Sequence, residues 1–151
     1  MLQLTEYFPC LGEKERSELK VSHMEIFRFD SKVVETLNPW DSELCICGLL
    51  KIFSHGVAGY AEYVMPDTGK NIDLVQWASV FIHLKGLSIT ESMRYVQDKN
   101  EAWGPIRKTL VECALSDLAS NLNNPIQQLE RVSHSRERSF LFERSQAYFA
   151  F

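Results

Sequence analysis

The chain has 151 residues, of which 45% are hydrophobic and 24% are charged, and its formal net charge is −4. This length predicts one domain with a substantial core, and the composition is that of an ordinary globular protein rather than a disordered or fibrous one. The acidic balance gives no general attraction to nucleic acid or to an anionic membrane, and no apolar run approaches the roughly 20 residues that span a bilayer.

The N-terminal segment, residues 1–21, is predicted to be peripheral. It has neither the basic start nor the continuous apolar run of a signal peptide, and its charged residues 13–18 are typical of a solvated face. Four cysteines, at positions 10, 45, 47 and 113, show no metal-binding or redox spacing. We therefore expect reduced thiols and a cytoplasmic protein.

Three strands are predicted in the first half of the chain. Residues 22–30 are strand-like, but the apolar phase slips between Ile26 and Phe27, so this strand is either buried on both faces or carries a bulge. Residues 43–53 are apolar on both faces, which predicts a central or doubly covered strand. A break at residues 54–56 then leads to the return strand of a hairpin, residues 57–64.

Three helices are predicted to follow. The first covers residues 72–85, with Asn71 as its N-cap and Gly86 at its end. The second runs from a capping box at Ser88 to about residue 97. The third and longest covers residues 106–122, because Pro105 suits a first helical position and apolar residues then recur at steps of three and four. Asn123, Asn124 and Pro125 end it.

This order of elements predicts a segregated α+β fold, with a three-stranded antiparallel sheet followed by a bundle of three or four helices. The tail, residues 130–151, interleaves arginines and glutamates with aromatic residues. Stacking on single-stranded nucleic acid is one use of such a composition. The glutamates and the acidic total favour instead a segment docked on this chain or on a partner, so we expect no nucleic-acid binding.

Two stretches of the sequence resemble the amino-terminal capping domain of the enolase superfamily, in its mandelate racemase and muconate-lactonizing branch. Residues 56–62 are similar to that family's hairpin pattern, through Gly56, Gly59 and Glu62. Residues 111–119 resemble the family's helix, through Glu112 and Asp117, and the Pro125 region resembles its approach to the barrel. The resemblance covers residues 22–129. His55, Ser120 and the pair Glu130–Arg131 depart from the family's usual Asp, Gly and Leu-Gly.

The resemblance implies a capping domain without its catalytic partner. In that family the metal-binding carboxylates and the acid/base residues lie on a carboxy-terminal barrel, and this chain stops where the first barrel strand would begin. The loops that would close over a substrate correspond to residues 36–41 and 63–70. Trp40, Asp41, Pro66 and Asp67 are therefore the candidate binding residues.

No other pattern in the sequence predicts catalysis or a cofactor. We interpret Glu62 and Glu112 as structural carboxylates, the first bonded to backbone and the second paired with Arg107 or Lys108. The four histidines have no metal-ligand spacing, so no metal site is expected. Gly56 and Gly59 are hairpin glycines rather than a phosphate loop, because no helix follows them directly.

The leading hypothesis is a non-catalytic, stand-alone capping-domain-like protein with a structural or interaction role. The surface that packs on the barrel in the family would then be exposed and apolar, and either a homodimer or the tail folding back over it would bury it. The alternative is a fragment or subunit of a metal-dependent racemase, dehydratase or lactonizing enzyme, which would need a barrel-containing chain in trans. A third hypothesis is a small-ligand carrier that uses the Trp40 and Pro66 loops.

Overall fold

A computed structural model describes residues 19–29, 45–66, 73–123 and 145–151. In this part of the chain, four antiparallel strands form one sheet in the order β3-β2-β1-β4. The strands are β1 (His23–Phe29), β2 (Cys45–Ser54), β3 (Val57–Pro66) and β4 (Ser145–Ala150). The helices are α1 (Leu74–Ala78), which continues as a 3₁₀ helix (Ser79–Leu84), α2 (Ile89–Asp98) and α3 (Asn100–Asn123).

The β2–β3 hairpin forms at the predicted break. Ser54 pairs with Val57, and the two residues between them, His55 and Gly56, have φ angles of 50° and 76°. Two positive φ angles in a two-residue loop match the twist of the flanking strands. The register of the whole hairpin is therefore fixed by the turn, and β3 runs in register along β2 as far as Pro66.

The first helical segment is shorter than predicted. The sequence indicates one helix over residues 72–85 capped by Asn71, whereas α1 begins at Leu74 and the chain tightens into the 3₁₀ helix after Ala78. The N-cap is Asp73, whose side chain accepts hydrogen bonds from the amides of Val75 and Gln76. Both Asn71 and Asp73 are good capping residues, and only the geometry of the first turn distinguishes them.

The other two helices begin close to where the sequence places them. Ser88 caps α2 by accepting a hydrogen bond from the amide of Glu91. In α3, Gly104 has a φ of 80° and breaks the helix into a short first turn and a long second part, residues 105–123. Pro105 occupies the first helical position after this break, as predicted.

The helices cover one face of the sheet, where the main core lies. Alternate strand residues such as Met24, Ile26, Leu50 and Ile52 meet the apolar side of α3 there. The opposite face carries a second buried set, in which Phe27 is fully buried. Since β1 buries residues on both faces, it is a two-sided strand, one of the two alternatives that its sequence left open.

The α+β prediction is confirmed, with the three main strands preceding the helices. The sheet has in addition a fourth strand, β4, which pairs with the outer edge of β1. Phe151 extends this pairing, because it exchanges backbone hydrogen bonds with Met24 in both directions. One edge of the described sheet is thus β4, and the other is β3.

Candidate functional site

A concavity among the described residues lies between the β3 edge and the first turns of the long part of α3. We call it the β3–α3 groove. Its volume is about 330 Å³, which is at the lower end of the range for ligand-binding clefts. The residues that line it are Glu62, Tyr63, Val64, Pro105, Ile106, Thr109, Leu110 and Cys113.

The lining of the groove is largely apolar and partly open to solvent. Val64 is 61% exposed and Ile106 is 38% exposed. Leu110 and Tyr63 are buried below them. Exposed aliphatic residues around a concave floor are typical of a surface that binds another molecule.

At the other end of β3, α3 lies directly against the strand. Gly59 makes this possible, because a Cβ there would collide with the backbone of Ala114 and Leu118. The amide of Tyr60 donates a 2.8 Å hydrogen bond to Asp117 Oδ2, and Asn121 Nδ2 donates a 2.8 Å hydrogen bond to the carbonyl oxygen of Ala58. The helix therefore satisfies two outward backbone groups of β3, the carbonyl oxygen of Ala58 and the N–H of Tyr60.

These two contacts also fix the direction of the remaining backbone groups of β3. In a strand, residues two apart turn their N–H and C=O groups to the same side. Since Ala58 and Tyr60 point away from β2, the groups of Glu62 and Val64 do so as well. Neither residue has a side-chain or strand partner on that side within the described ranges, so four backbone hydrogen-bonding groups face the β3–α3 groove.

The open stretch of β3 ends with its last outward-facing N–H group. The next outward position is Pro66, the last residue of β3, and proline has no N–H to donate. Only Glu62 and Val64 can therefore both donate and accept along this edge, between the helix contact at Tyr60 and the proline. A short open edge of this kind accepts one short segment of extended chain.

Arg107 fixes the position of α3, which forms one wall of the groove. Its guanidinium donates to the carbonyl oxygen of Trp103 at 2.7 Å and to that of Trp77 at 3.1 Å, and it lies over the Trp77 ring. Burial lowers the pKa of this guanidinium from its usual value. These contacts join α3 to α1 across the Gly104 break, which fixes where the helix begins beside β3.

The floor of the groove is held by Tyr63. Its hydroxyl donates a 2.9 Å hydrogen bond to the carbonyl oxygen of Phe27, and burial raises the pKa of the phenol well above its usual value. The ring passes over Gly48, where a Cβ would collide with it. Tyr63 is therefore a neutral, fixed structural element rather than a proton donor to a ligand.

A second polar cluster is buried on the sheet face opposite the helices. Lys51 Nζ lies 3.8 Å from Glu25 Oε2, and these residues are only 4% and 2% exposed. The Tyr148 hydroxyl donates a 3.2 Å hydrogen bond to Glu25, and the Lys51 ammonium lies 5.0 Å from the centre of the Tyr60 ring. The cluster joins residues of all four described strands, so we interpret it as a structural ion pair with aromatic neighbours.

The structure places only some of the predicted site residues. Trp40, Asp41, Asp67 and Pro125 lie outside the described residues, and Pro66 is the end of β3. Among the predicted structural residues, Gly56 forms the turn, and Gly59 and Asp117 form the helix–strand contact described above. Glu112 lies 3.7 Å from Lys108, one helical turn earlier. Glu62 is solvent-exposed and lines the groove.

The sequence does not single out the main groove residues, Val64, Ile106 and Thr109, although Val64 lies within the candidate loop, residues 63–70. Their exposure depends on the angle between α3 and β3, which no local pattern encodes. One available signal was the alternation along β3, where Val64 falls on the same side as Tyr60 and Glu62. A valine in that series, two residues before a proline, is compatible with an open sheet edge.

No three His, Cys, Asp or Glu side chains come together as a metal site within residues 19–29, 45–66, 73–123 and 145–151. Cys47 is half-buried and Cys113 is exposed. None of the described helices is long and apolar enough to cross a membrane. Comparisons with protein-family models, with curated proteins and with solved structures found no match to this chain.

Proposed function

We propose that this protein is a non-catalytic interaction module that binds an extended segment of a partner protein in the β3–α3 groove. The observation that carries the proposal is the open stretch of β3, where the backbone groups of Glu62 and Val64 face an apolar groove. Addition of a strand to an open sheet edge is a recurrent mode of peptide recognition. Main-chain hydrogen bonds supply the attachment, and side chains in the adjacent groove supply specificity.

A peptide segment suits this edge better than the β3 strand of a second copy. In each copy, α3 covers the outer side of β3 at Ala58 and Tyr60. Two such edges that approached each other would therefore bring both helices into the contact. A single extended chain brings no second helix into the contact.

The proposal is compatible with the interaction role expected from the sequence. The homodimer, the cytoplasmic location and the capping-domain resemblance remain predictions. So does the alternative of a subunit that completes a barrel enzyme, whose loops at Trp40 and Asp67 lie outside the described residues. Native mass spectrometry of the protein from its host separates these partners, since a second copy and a barrel-sized chain differ in mass.

The test of the proposal uses a proline that removes one outward N–H. Val64→Pro deletes a hydrogen-bond donor that faces the groove, and it spares the β2–β3 ladder because Val64 does not bond to β2. Val64→Thr is the matched control, since it keeps the N–H and the branched shape. The probes are random peptides displayed on phage and selected on the intact protein.

We expect selected peptides to slow amide hydrogen exchange at Glu62 and Val64, as measured by NMR. We also expect Val64→Pro to lose their binding and Val64→Thr to retain it. The proposal is wrong if the selection yields no binder, or if the binders leave exchange at both amides unchanged. Thermal melting of both variants checks that the fold is intact.

A further inference from the structure

From the two side chains that flank the groove, we infer the chemistry of the segment that it binds: an apolar residue that enters the groove, with a basic residue on one side and an apolar residue on the other. This inference rests on the proposed function. It adds which side chains the partner segment carries and in what order.

The basic position follows from Glu62. Its side chain is exposed and projects from the sheet face opposite the helices, in the alternating series with Tyr60 and Val64. Its cross-strand neighbour on β2 is Leu49, which is apolar. No basic side chain lies within ion-pair distance of the Glu62 carboxylate among the residues that the structure places. On an added strand, the residue directly across from Glu62 is its nearest neighbour, with Cβ atoms about 5 Å apart.

The flanking apolar position follows from Val64. It projects from the same face as Glu62 and is 61% exposed. Its neighbour on β2 is the half-buried Cys47. A β-branched or other apolar residue across from Val64 would cover this surface, and like pairs of that kind stabilise neighbouring strands.

The middle position follows from the alternation of strands. The partner residue between these two turns its side chain to the helix side of the sheet, where the groove lies. Ile106, Leu110 and Thr109 line that space. A leucine-sized side chain would lie against Ile106 and above Leu110, with the exposed Cys113 at the rim.

The three positions define a pattern that reads apolar–apolar–basic if the segment runs antiparallel to β3, and basic–apolar–apolar if it runs parallel. The net charge of −4 adds a weak general preference for basic partners. Glu112 contributes less to this preference, because Lys108 lies 3.7 Å from it.

The experiment uses short synthetic peptides with a valine–leucine–lysine core, its reversed order, and the same cores with glutamate in place of lysine or serine in place of leucine. Binding to the intact protein is measured by isothermal titration calorimetry. A second readout is the alkylation rate of Cys113, resolved by mass spectrometry, with glutathione in the same solution as the reference thiol.

We expect the lysine core to bind about threefold to tenfold more tightly than the glutamate core, because an exposed charge pair contributes about 0.2–1 kcal/mol and a like pair opposes binding by a similar amount. Glu62→Lys should invert this preference, and Glu62→Gln should abolish it. Serine in the middle position should weaken binding about tenfold or more. Bound peptide should slow alkylation of Cys113 relative to the glutathione reference.

The outcomes separate this inference from the proposed function. Peptides that protect the Glu62 and Val64 amides but bind equally well with lysine or glutamate would overturn the charge assignment and leave strand addition standing. Equal binding of the leucine and serine cores would overturn the groove assignment. If no peptide of the set or of the phage selection protects either amide, strand addition fails and this inference fails with it.

Discussion

The amide nitrogen of Tyr60 donates a 2.8 Å hydrogen bond to the carboxylate of Asp117, a residue 57 positions later in the chain. Asn121 reinforces the contact, since its Nδ2 lies 3.2 Å from the same carboxylate oxygen and also donates to Ala58. These side chains occupy the edge of β3 that a neighbouring strand would otherwise use. They therefore limit the open edge to the residues beside the groove.

Removal of the Asp117 carboxylate should open this closed part of the edge. We expect Asp117→Ala to lower the free energy of unfolding by about 1–3 kcal/mol, because the Tyr60 amide loses its partner in a half-buried position. Amide hydrogen exchange at Tyr60 should also become faster. Urea unfolding and NMR exchange measure the two effects, and Ser116→Ala, an exposed neighbour, is the matched control. Unchanged exchange at Tyr60 would contradict the assigned contact.

Gly59 should tolerate no side chain. A Cβ at this position would collide with the Ala114 carbonyl oxygen and the Leu118 amide nitrogen, so we expect Gly59→Ala to cost about 1–3 kcal/mol of stability through displacement of α3. At Gly56 a Cβ meets nothing within 4 Å, but the φ is +76°. Gly56→Ala should thus cost only the smaller backbone strain, about 1 kcal/mol. Chemical denaturation of both variants measures the loss of stability from the steric collision at Gly59 and from the backbone strain at Gly56.

The contributions of Lys51 and Glu25 to stability should be coupled, because the two residues form a buried ion pair. Lys51→Met alone leaves Glu25 buried beside an apolar side chain, and we expect it to cost about 3–5 kcal/mol. The double variant Lys51→Met with Glu25→Leu should recover most of that loss, because no charge then remains buried. A double-mutant cycle from urea denaturation measures this coupling. Simple additivity of the two single changes would show that the pair is not coupled.

Leu118 lies on the buried side of α3 and is fully inaccessible to solvent. We expect Leu118→Asp to unfold the protein, because it places an unpaired charge in the core. Ser116→Asp adds the same charge two residues away on the exposed side and should leave the circular dichroism spectrum unchanged. A folded Leu118→Asp protein would mean that α3 packs by another face.

The buried phenol of Tyr63 should make the free energy of unfolding depend on pH in alkaline solution. Burial raises the pKa of its phenol in the folded state above the usual 10.0. The contribution of Tyr63 is thus constant below pH 10, and above it the unfolded state loses a proton that the folded state keeps. The free energy of unfolding should then fall by up to about 1.4 kcal/mol per pH unit from this residue.

Tyr63→Phe should remove that component of the alkaline slope. At neutral pH it should cost about 1 kcal/mol, because the hydrogen bond to the Phe27 carbonyl is lost. Urea denaturation at neutral pH and above pH 10 measures both effects. Tyr95→Phe, which changes a tyrosine on α2, is the comparison for the titration of other phenols. Parallel pH curves for the wild type and Tyr63→Phe would contradict the assignment.

The elements that the sequence predicts well are those specified by local chemistry. The turn at His55 and Gly56, the cap at Ser88 and the helix start at Pro105 each depend on a few adjacent residues. The 3₁₀ helix after Ala78 was not predicted, because its residues have the same apolar spacing as an α-helix. The choice of Asp73 over Asn71 as the N-cap is likewise a matter of geometry between two suitable residues.

The features that the sequence does not predict depend on contacts between distant segments. In the β1–β4 pair, Phe149 lies opposite Ile26, which comes more than a hundred residues earlier in the chain. No local pattern in residues 145–150 predicts that β1 is the neighbouring strand. The groove has the same origin, since Val64 and Ile106 come from distant segments that line it together, and Gly59 lets α3 approach the other end of β3. Glu62 was identified from its motif, but its exposure at the groove was not.

The β1–β4 pairing has a consequence for the order in which the protein is made. β1 leaves the ribosome early, together with the first part of the hairpin, whereas its outer neighbour is synthesised more than a hundred residues later. During translation the outer edge of β1 is therefore without β4, and its apolar residues, Ile26 and Phe27, lie on a strand that lacks one flank. Completion of the sheet is a late event, and the nascent chain is exposed to misassociation with other nascent chains until residues 145–151 emerge.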